Sequence, residues 1–345
     1  MAYTIDPLKW TTLTLLINEI KGPQNFLKNL LFSDVQTLST ETAELSYLTG
    51  GIVAAPYVKK NGEALMVGGL GQSFATVTMP NIRIKRPFTP SELLFTRRAG
   101  TSIFIDAGAQ LSALTRHIAR DLKYMKDQIE NTEEVQASQA LLGTISYEVA
   151  DQEVFQVTFP RSAANAYTVS PLWSTTSNPE ADIHTVKRLT SDGVGLSPTH
   201  MLLGRNAADE FLKNARVSTL LDNRRIQAGG VNLSGQFNPQ GAIFLGDFCG
   251  VQVWEYGRQI SVNGTATSMI RSDYAELVCA SPDAEWGRLY GAIPDFDALQ
   301  ERKFQGQIFA KSWITKDPSA FIALAHSRPL CVPRRPDASV SLKVV

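Results

Sequence analysis

The amino-acid sequence predicts an α+β fold with a mixed or antiparallel sheet. One amphipathic stripe of unusual length predicts a single very long helix. Short apolar runs bounded by turn-forming residues predict strands, and beyond residue 144 such runs alternate with helical segments. The chain has 345 residues, 43% of them hydrophobic, so it is long enough to bury a large core.

The first fifty residues predict an apolar N-terminal segment. The apolar residues between 13 and 20 have helical spacing, and Gly22-Pro23 predicts the end of that helix. A second, strongly apolar patch follows at residues 26–32. We expect this patch to pack on its own subunit; an arm that packs on a neighbouring subunit is the alternative.

A long hairpin is predicted between residues 51 and 90. Residues 53–60 have strand character, Asn61-Gly62 is a strong signal for a tight turn, and residues 74–85 alternate as a second strand. Because an isolated two-stranded hairpin is only marginally stable in water, this one needs a partner surface. That surface lies either in its own chain or in another.

The clearest helix is predicted over residues 106–142. Asp106 is a suitable N-cap and Gly143 a natural end. At 1.5 Å per residue such a helix is roughly 50 Å long, about twice the usual length or more. Its apolar stripe consists of Leu111, Leu114, Ile118, Leu122, Met125 and Ile129.

The charges on this helix run in an unusual order. Basic residues come first and acidic residues follow, whereas the helix macrodipole favours the reverse. They are Arg116, His117, Arg120, Lys123 and Lys126, then Glu130, Glu133 and Glu134. Two explanations stay open: a solvated face that tolerates a small penalty, or charges placed for neighbouring subunits.

The rest of the chain predicts interleaved helices and strands. Asn178 and Pro179 supply the cap and first-turn proline of a helix that ends at Gly193. A further helix is predicted over residues 207–221, and a polar, glycine-rich loop over residues 227–241. Strands are predicted at residues 155–159, 200–203, 251–256, 268–271, 276–280, 321–325 and 340–344.

Composition limits the partners and the compartment. Thirty-three basic and thirty-three acidic residues leave no net charge, so DNA is expected only as a non-specific contact. Cys249, Cys279 and Cys331 are far apart and odd in number, which predicts buried thiols in a reducing compartment. No stretch approaches the ~18 consecutive apolar residues of a membrane span, and no signal peptide is recognisable. We expect a cytosolic product without a membrane partner.

A search for chemical motifs predicts no catalytic, cofactor-binding or metal-binding residue. The HExxH, GxSxG and GxxxxGK[ST] motifs do not occur, and residues 68–71 lack the spacing of a phosphate loop. The four histidines are scattered, without metal-ligand spacing. Asp295, Asp297 and Glu301 offer paired carboxylates, but a solvated turn is the favoured interpretation. We therefore expect a protein that is not an enzyme and needs no cofactor.

Several motifs, taken in their order, resemble those of a known family. Coverage runs from about residue 45 to the end, and the order and spacing of the motifs together are fairly specific. They are Gln139–Gly143, Leu221-Asp222-Asn223-Arg224-Arg225, Tyr290-Gly291-Ala292-Ile293 with Asp295 and Asp297, and Trp313 followed by Asp317-Pro318, Ser327, Pro329 and Leu330. This pattern is similar to that of the lambda-like phage capsid protein E family, and the order of elements resembles the Hong Kong 97 capsid fold.

The resemblance implies a division of the chain. Residues 1–50 would form an N-terminal arm and residues 51–90 an extended hairpin called the E-loop. Residues 91–190 and 281–345 would form a peripheral (P) domain that contains a spine helix at about 107–142. Residues 191–280 would form an axial (A) domain.

The resemblance also implies a function. It predicts a major capsid protein that assembles into hexamers and pentamers of an icosahedral phage head around double-stranded DNA. The implied partners are further copies of the chain, a separate scaffolding protein, a portal and a decoration protein. The implied location is the virion capsid, with the host cytoplasm during assembly. Two alternatives stay open: an encapsulin-like nanocompartment shell, and a cytosolic α+β enzyme.

Overall fold

The computed structural model describes residues 9–49, 71–89, 107–148, 154–175, 177–217, 236–237, 241–297, 306–317 and 319–345. The α+β expectation is confirmed. The helices are α1 (Trp10–Glu19), α2 (Phe26–Leu30), α3 (Ala107–Leu141), α4 (Pro179–Val194) and α5 (Arg205–Lys213). In the part of the chain that the structure describes, no helix combines the length and the apolarity that crossing a membrane requires.

The strands form one large mixed sheet and several small ones. The first strands are β1 (Asp34–Thr37), β2 (Thr42–Thr49), β3 (Gly71–Thr78), β4 (Ile82–Phe88), β5 (Thr144–Glu148), β6 (Val154–Thr158) and β7 (Ala166–Thr168). They are followed by β8 (His200–Leu203), β9 (Gln236–Phe237), β10 (Ile243–Phe248), β11 (Val251–Glu255), β12 (Gln259–Val262) and β13 (Thr265–Ser268). The last are β14 (Tyr274–Val278), β15 (Trp286–Tyr290), β16 (Phe309–Lys316), β17 (Ser319–Ser327), β18 (Pro329–Pro333) and β19 (Ser339–Lys343).

The large sheet has the order β7-β19-β14-β8-β11-β10-β9. Its β8–β11 and β7–β19 pairs are parallel and its other pairs antiparallel, so the sheet is mixed. Two three-stranded sheets have the orders β16-β17-β4 and β1-β15-β18. Helices α4 and α5 pack on the large sheet around the buried side chains of Ile183, Val186 and Phe211.

The long helix is confirmed at 35 residues, and Gly143 lies just beyond it with a left-handed φ of 85°. Its described apolar stripe is buried against α1 and the inner face of the β16-β17-β4 sheet, through Ile118, Leu122, Met125 and Ile129. Its C-terminal part is buried in a second cluster together with α2, β15 and β18. The side chains of Leu111, Leu114 and Arg116, and residue Asp106, lie outside the described residues.

The apolar patch at residues 26–32 packs on its own subunit, as expected. Phe26, Leu27, Leu31 and Phe32 are all buried within the chain. The ring of Phe32 meets Trp286 edge to face at 5.4 Å between centroids. The N-terminal segment is therefore part of the subunit's core.

The predicted second strand of the hairpin, residues 74–85, is wrong as a single element. The structure divides it at Met79-Pro80-Asn81 into β3, which pairs with β2, and β4, which pairs with β17. Proline has no N–H to donate to a ladder, so the strand can leave one sheet here and enter another. Residues 50–70, with the predicted Asn61-Gly62 turn, lie outside the described residues.

The ends of two predicted helices shift, and one further predicted strand is wrong. Helix α4 runs past Gly193 and ends before Gly195, whose φ of 78° matches the left-handed conformation favoured after a helix. Helix α5 ends at Lys213, and residues 218–235 lie outside the described residues. The predicted strand 268–271 is wrong: β12 and β13 form a hairpin around Asn263 and Gly264, whose φ angles of 50° and 82° are those of a tight primed turn.

Gly204 provides a test of how tightly α5 packs on the turn before β14. A Cβ atom at this position would lie 2.1 Å from the backbone oxygen of Arg271 and 2.6 Å from that of Ser272. Because backbone must move to relieve this clash, we expect Gly204→Ala to lower the free energy of unfolding by about 3 kcal/mol. Urea denaturation of the purified subunit would measure the change.

Gly193→Ala is the matched control. A Cβ at Gly193 would meet nothing within 4 Å, and the residue lies inside α4. Alanine should therefore raise the free energy of unfolding by roughly 0.5–1 kcal/mol. Equal effects of the two substitutions would show that Gly204 is not sterically constrained.

Candidate assembly surface

The outer face of the β16-β17-β4 sheet carries a row of apolar side chains. Trp313 pairs with Ile322, and Ile322 pairs with Pro87, so the three residues lie side by side across the strands. Neighbouring residues such as Ala323 alternate to the inner face, where they are buried against α1 and α3. Trp313 keeps 38% of its surface exposed, Pro87 is exposed and Ile322 is half-buried.

Basic side chains and one further aromatic ring border this row. Lys311 and Lys85 both pair with Leu324, which places them on the same face one step further along the strands. Phe296 is 83% exposed and lies between two aspartates that bind Lys311. Exposed apolar side chains with a polar rim are typical of protein–protein interfaces. This set of residues is called the outer-face patch below.

The 290–297 segment is fixed to the patch by an ion pair. Asp295 is buried and lies 2.6 Å from Lys311, while the half-exposed Asp297 lies at 3.2 Å. Burial alone would lower the pKa of Lys311, but its hydrogen bonds to the two carboxylates raise the pKa above its ordinary value. The predicted solvated turn is therefore wrong for Asp295, which is a buried anchor. Glu301 lies outside the described residues.

The acidic end of α3 is buried inside the subunit. The backbone N–H groups of Leu27 and Lys28 each donate to Glu134 at 2.9 Å, and the Tyr256 hydroxyl donates to the same carboxylate at 2.6 Å. A carboxylate at the first turn of α2 satisfies N–H groups that have no partner within that helix. Burial and the adjacent Glu134 charge both raise the pKa of Tyr256.

Glu133 gathers a second set of partners on the same helix. Lys28 donates to it at 2.9 Å, Arg288 approaches to 3.5 Å, and the Tyr290 hydroxyl donates at 2.9 Å. The side chain of Glu133 is only 1% exposed. These two acids therefore bind partners in their own chain, which overturns the idea that they are placed for neighbouring subunits. Among the basic residues of α3, Lys126 also binds within the chain: its ammonium group donates a hydrogen bond to the Ile20 carbonyl.

Several described residues of the family-like motifs pack within the subunit. Tyr290 binds Glu133, and a Cβ on Gly291 would lie 2.8 Å from the Met79 sulfur. Ser327 donates to the Gln307 carbonyl at 2.8 Å, and Leu330 is fully buried. Residues 221–225 and Pro318 lie outside the described residues. Sequence reasoning marked these residues by their order, but it could not show what they contact.

Two of the three cysteines are buried and one is half-buried. Cys279 and Cys331 are buried thiols, as expected, and burial raises the pKa of Cys279 to about 11. Cys249 is only half-buried, contrary to expectation. The structure brings Cys249 together with Glu180 and His184, with one potential ligand atom of each within 4.8 Å of the others. Sequence reasoning missed this group because Cys249 is far from the other two in the chain.

Removing the Glu133 charge should destabilise the subunit. Glu133→Gln leaves the buried Arg288 without its carboxylate partner, while Lys28 keeps only Glu130 at 3.3 Å. Breaking a buried ion pair from one side typically costs about 3–5 kcal/mol. Chemical denaturation of the purified subunit measures this loss. The control is Glu19→Gln at the exposed end of α1, which should change the free energy of unfolding by less than about 0.5 kcal/mol. A loss below about 1 kcal/mol for Glu133→Gln would contradict the assignment.

His326 should make stability depend on pH. It is buried on β17 beside Asn81, and burial, reinforced by the nearby Arg83 and Arg328 cations, lowers its pKa to about 4. Its folded pKa is below the unfolded value of about 6.5. The contribution of neutral His326 to the free energy of unfolding is therefore fully present above pH 6.5 and is lost as the pH falls toward 4. Between about pH 7.5 and about pH 5 the expected loss is about 2 kcal/mol.

The variant His326→Gln tests this pH dependence because it cannot titrate and can still donate to Asn81. Denaturant unfolding at both pH values is the measurement. The wild-type protein should lose about 2 kcal/mol more than the variant between the two pH values. Equal losses would show that His326 does not cause the dependence, because His200, whose pKa burial also lowers, is present in both proteins.

Comparisons with known proteins agree on one family. A family model described as phage major capsid protein E matches residues 9–344. The chain is 24% identical over 325 residues to the major capsid protein of Escherichia phage lambda, covering 91% of this chain and 92% of that protein.

Solved structures show the same fold. The crystal structure of a prophage capsid protein from E. coli CFT073 matches with a TM-score of 0.67 and 17% identity, over 98% of this chain and 99% of that one. A capsid chain of cyanophage A-1(L) matches with a TM-score of 0.51 and 11% identity, over 95% and 94%. A family match that spans nearly the whole sequence, with the same fold in phage capsid structures, shows that the chain belongs to the phage major capsid protein E family.

Proposed function

We propose that this phage major capsid protein assembles into hexamers and pentamers of a closed icosahedral head that encloses double-stranded DNA. The outer-face patch is the observation that carries the proposal. The backbone of Trp313, Ile322 and Pro87 is already fixed by strand pairing. Burying these side chains against a second copy therefore loses little conformational entropy. Identical chains that use unlike surfaces can close into rings of this kind.

We propose the Hong Kong 97-like division for this subunit. Residues 1–50 form the N-terminal arm, residues 51–90 the E-loop, residues 91–190 and 281–345 the P domain, and residues 191–280 the A domain. The pairing of β2 with β3 around residues 50–70 is consistent with an E-loop that starts from a two-stranded base. The outer-face patch belongs to the P domain in this division, apart from the β4 residues.

The remaining contacts follow from the same proposal. We expect a separate scaffolding protein, a portal and a decoration protein as partners, with packaged DNA as a non-specific contact. The chain would assemble in the host cytoplasm and remain in the virion capsid. It would act as a structural protein without enzymatic activity. Arg120 and Lys123 on α3 are exposed, so they stay candidates for contacts with neighbouring subunits.

An encapsulin-like shell is the weaker alternative. Both the family match and the lambda relative are phage capsid proteins, and neither favours a nanocompartment. A cytosolic α+β enzyme would form small discrete oligomers instead of shells. Negative-stain microscopy of the purified chain separates the capsid proposal from the enzyme, because closed shells or tubes are expected from the first and not from the second.

Trp313→Glu should block assembly and leave the subunit folded. The side chain is partly exposed, so the free energy of unfolding should change by less than about 1 kcal/mol, whereas a charge in a buried interface is costly. Size-exclusion chromatography with negative-stain microscopy would show subunits in place of shells.

Leu212→Glu is the matched control for this experiment. Leu212 is an apolar residue on α5 that is 45% exposed, away from the outer-face patch, and its variant should still form shells. Normal shells from Trp313→Glu would remove the patch from the proposal. Failure of the wild-type chain to form any particle larger than a small oligomer would contradict the capsid assembly itself.

A further inference from the structure

A helix and a turn bring three side chains of metal-binding type together. Asn178 caps α4 by accepting a hydrogen bond from the Glu180 N–H at 3.2 Å, which fixes where the helix begins. Glu180 and His184 are four residues apart, so they lie on the same face of the helix. Cys249 lies in the turn between β10 and β11. A carboxylate oxygen, an imidazole nitrogen and the Cys249 sulfur all lie within 4.8 Å of one another.

The backbone at Cys249 has an uncommon conformation. Phe248 pairs with Val251, so Cys249 and Gly250 alone make the turn, with φ angles of 52° and 72°. Such turns favour asparagine, aspartate or glycine, and a cysteine with positive φ is uncommon. Unfavourable backbone conformations persist where the surrounding structure holds them, and they concentrate at functional sites. A bond from the sulfur to a cation would offset this cost.

Hydrogen bonds from two basic residues hold Glu180 and the Cys249 turn in place. Lys187, one turn further along α4, donates to the Cys249 carbonyl and so fastens the turn to the helix. Arg216 donates to Glu180 Oε2 through both Nε and Nη2 at 3.1 Å, which orients the carboxylate. Residues that orient ligating side chains in this way are typical of metal sites.

We propose that Glu180, His184 and Cys249 form a site for a divalent cation of the zinc class. Thiolate and imidazole ligands favour zinc and similar transition metals over magnesium and calcium, which prefer oxygen. Three protein ligands leave the fourth tetrahedral position to water. Binding releases the thiol proton to solvent, since the thiolate is the ligand. The cation joins the first turns of α4 to the β10–β11 turn, and this role does not depend on the shell geometry proposed above.

Metal titration of the full chain tests the site. Isothermal titration calorimetry with Zn²⁺ should show one cation per chain with a dissociation constant below about 10 µM. Co²⁺ in place of Zn²⁺ should give the visible absorption of a tetrahedral ion and a sulfur-to-cobalt charge-transfer band. His184→Ala should weaken Zn²⁺ binding at least tenfold, and His117→Ala, on α3, should leave it unchanged.

Cys249→Gly separates the metal site from a purely structural role of the turn. Glycine relieves the positive φ and keeps the carbonyl that Lys187 binds, so without metal this variant should melt at or above the wild-type temperature. It should also lose the cobalt charge-transfer band and the zinc-induced rise in melting temperature. The proposal is overturned if wild-type protein shows no saturable 1:1 zinc binding up to about 100 µM, or if Cys249→Gly binds zinc as wild type does.

Discussion

Glu133 and Glu134, adjacent on the long helix, form the junction on which the subunit's architecture depends. Glu134 holds the backbone at the start of α2 and the Tyr256 hydroxyl, and Glu133 holds Lys28, Arg288 and Tyr290. Two buried carboxylates would be costly without such partners, because desolvation of a charge is repaid only by good geometry and several hydrogen bonds. The N-terminal segment, the long helix and the strand β15 are therefore fixed relative to one another at one place.

This junction explains how a helix of 35 residues can connect separate hydrophobic clusters. Its apolar residues between 118 and 129 pack on α1 and the β16-β17-β4 sheet, and those between 135 and 141 pack on α2, β15 and β18. Because residues of the helix are buried in both clusters, packing fixes the position of the helix in the subunit. A sheet held on its inner face by this helix can present its outer face to another molecule without reorganising.

The division between buried and exposed charge suits a protein that meets many copies of itself. The sequence has no net charge, so long-range repulsion between copies is small. Glu133 and Glu134 of α3 bind partners within the subunit, while the exposed Lys85 and exposed apolar side chains belong to the outer-face patch. The residues that stabilise the subunit therefore differ from those that are available for contacts with other copies. Each set can be altered without the other.

The sequence by itself determined the elements that depend on local pattern. Periodicity located α3 and β8, and the motif order identified the capsid family, later shown by the match over residues 9–344. The tertiary structure alone decided which distant groups meet. At Pro80 the chain passes from the β2–β3 pair to the β16-β17-β4 sheet, because β17 is available to pair with β4. Glu133 and Glu134 are buried because partners from remote segments reach their carboxylates. Trp313 joins an apolar row, and Cys249 joins Glu180 and His184, only through strand register and helix placement. Period and spacing are properties of neighbours in the chain, whereas these contacts join segments that only folding brings together.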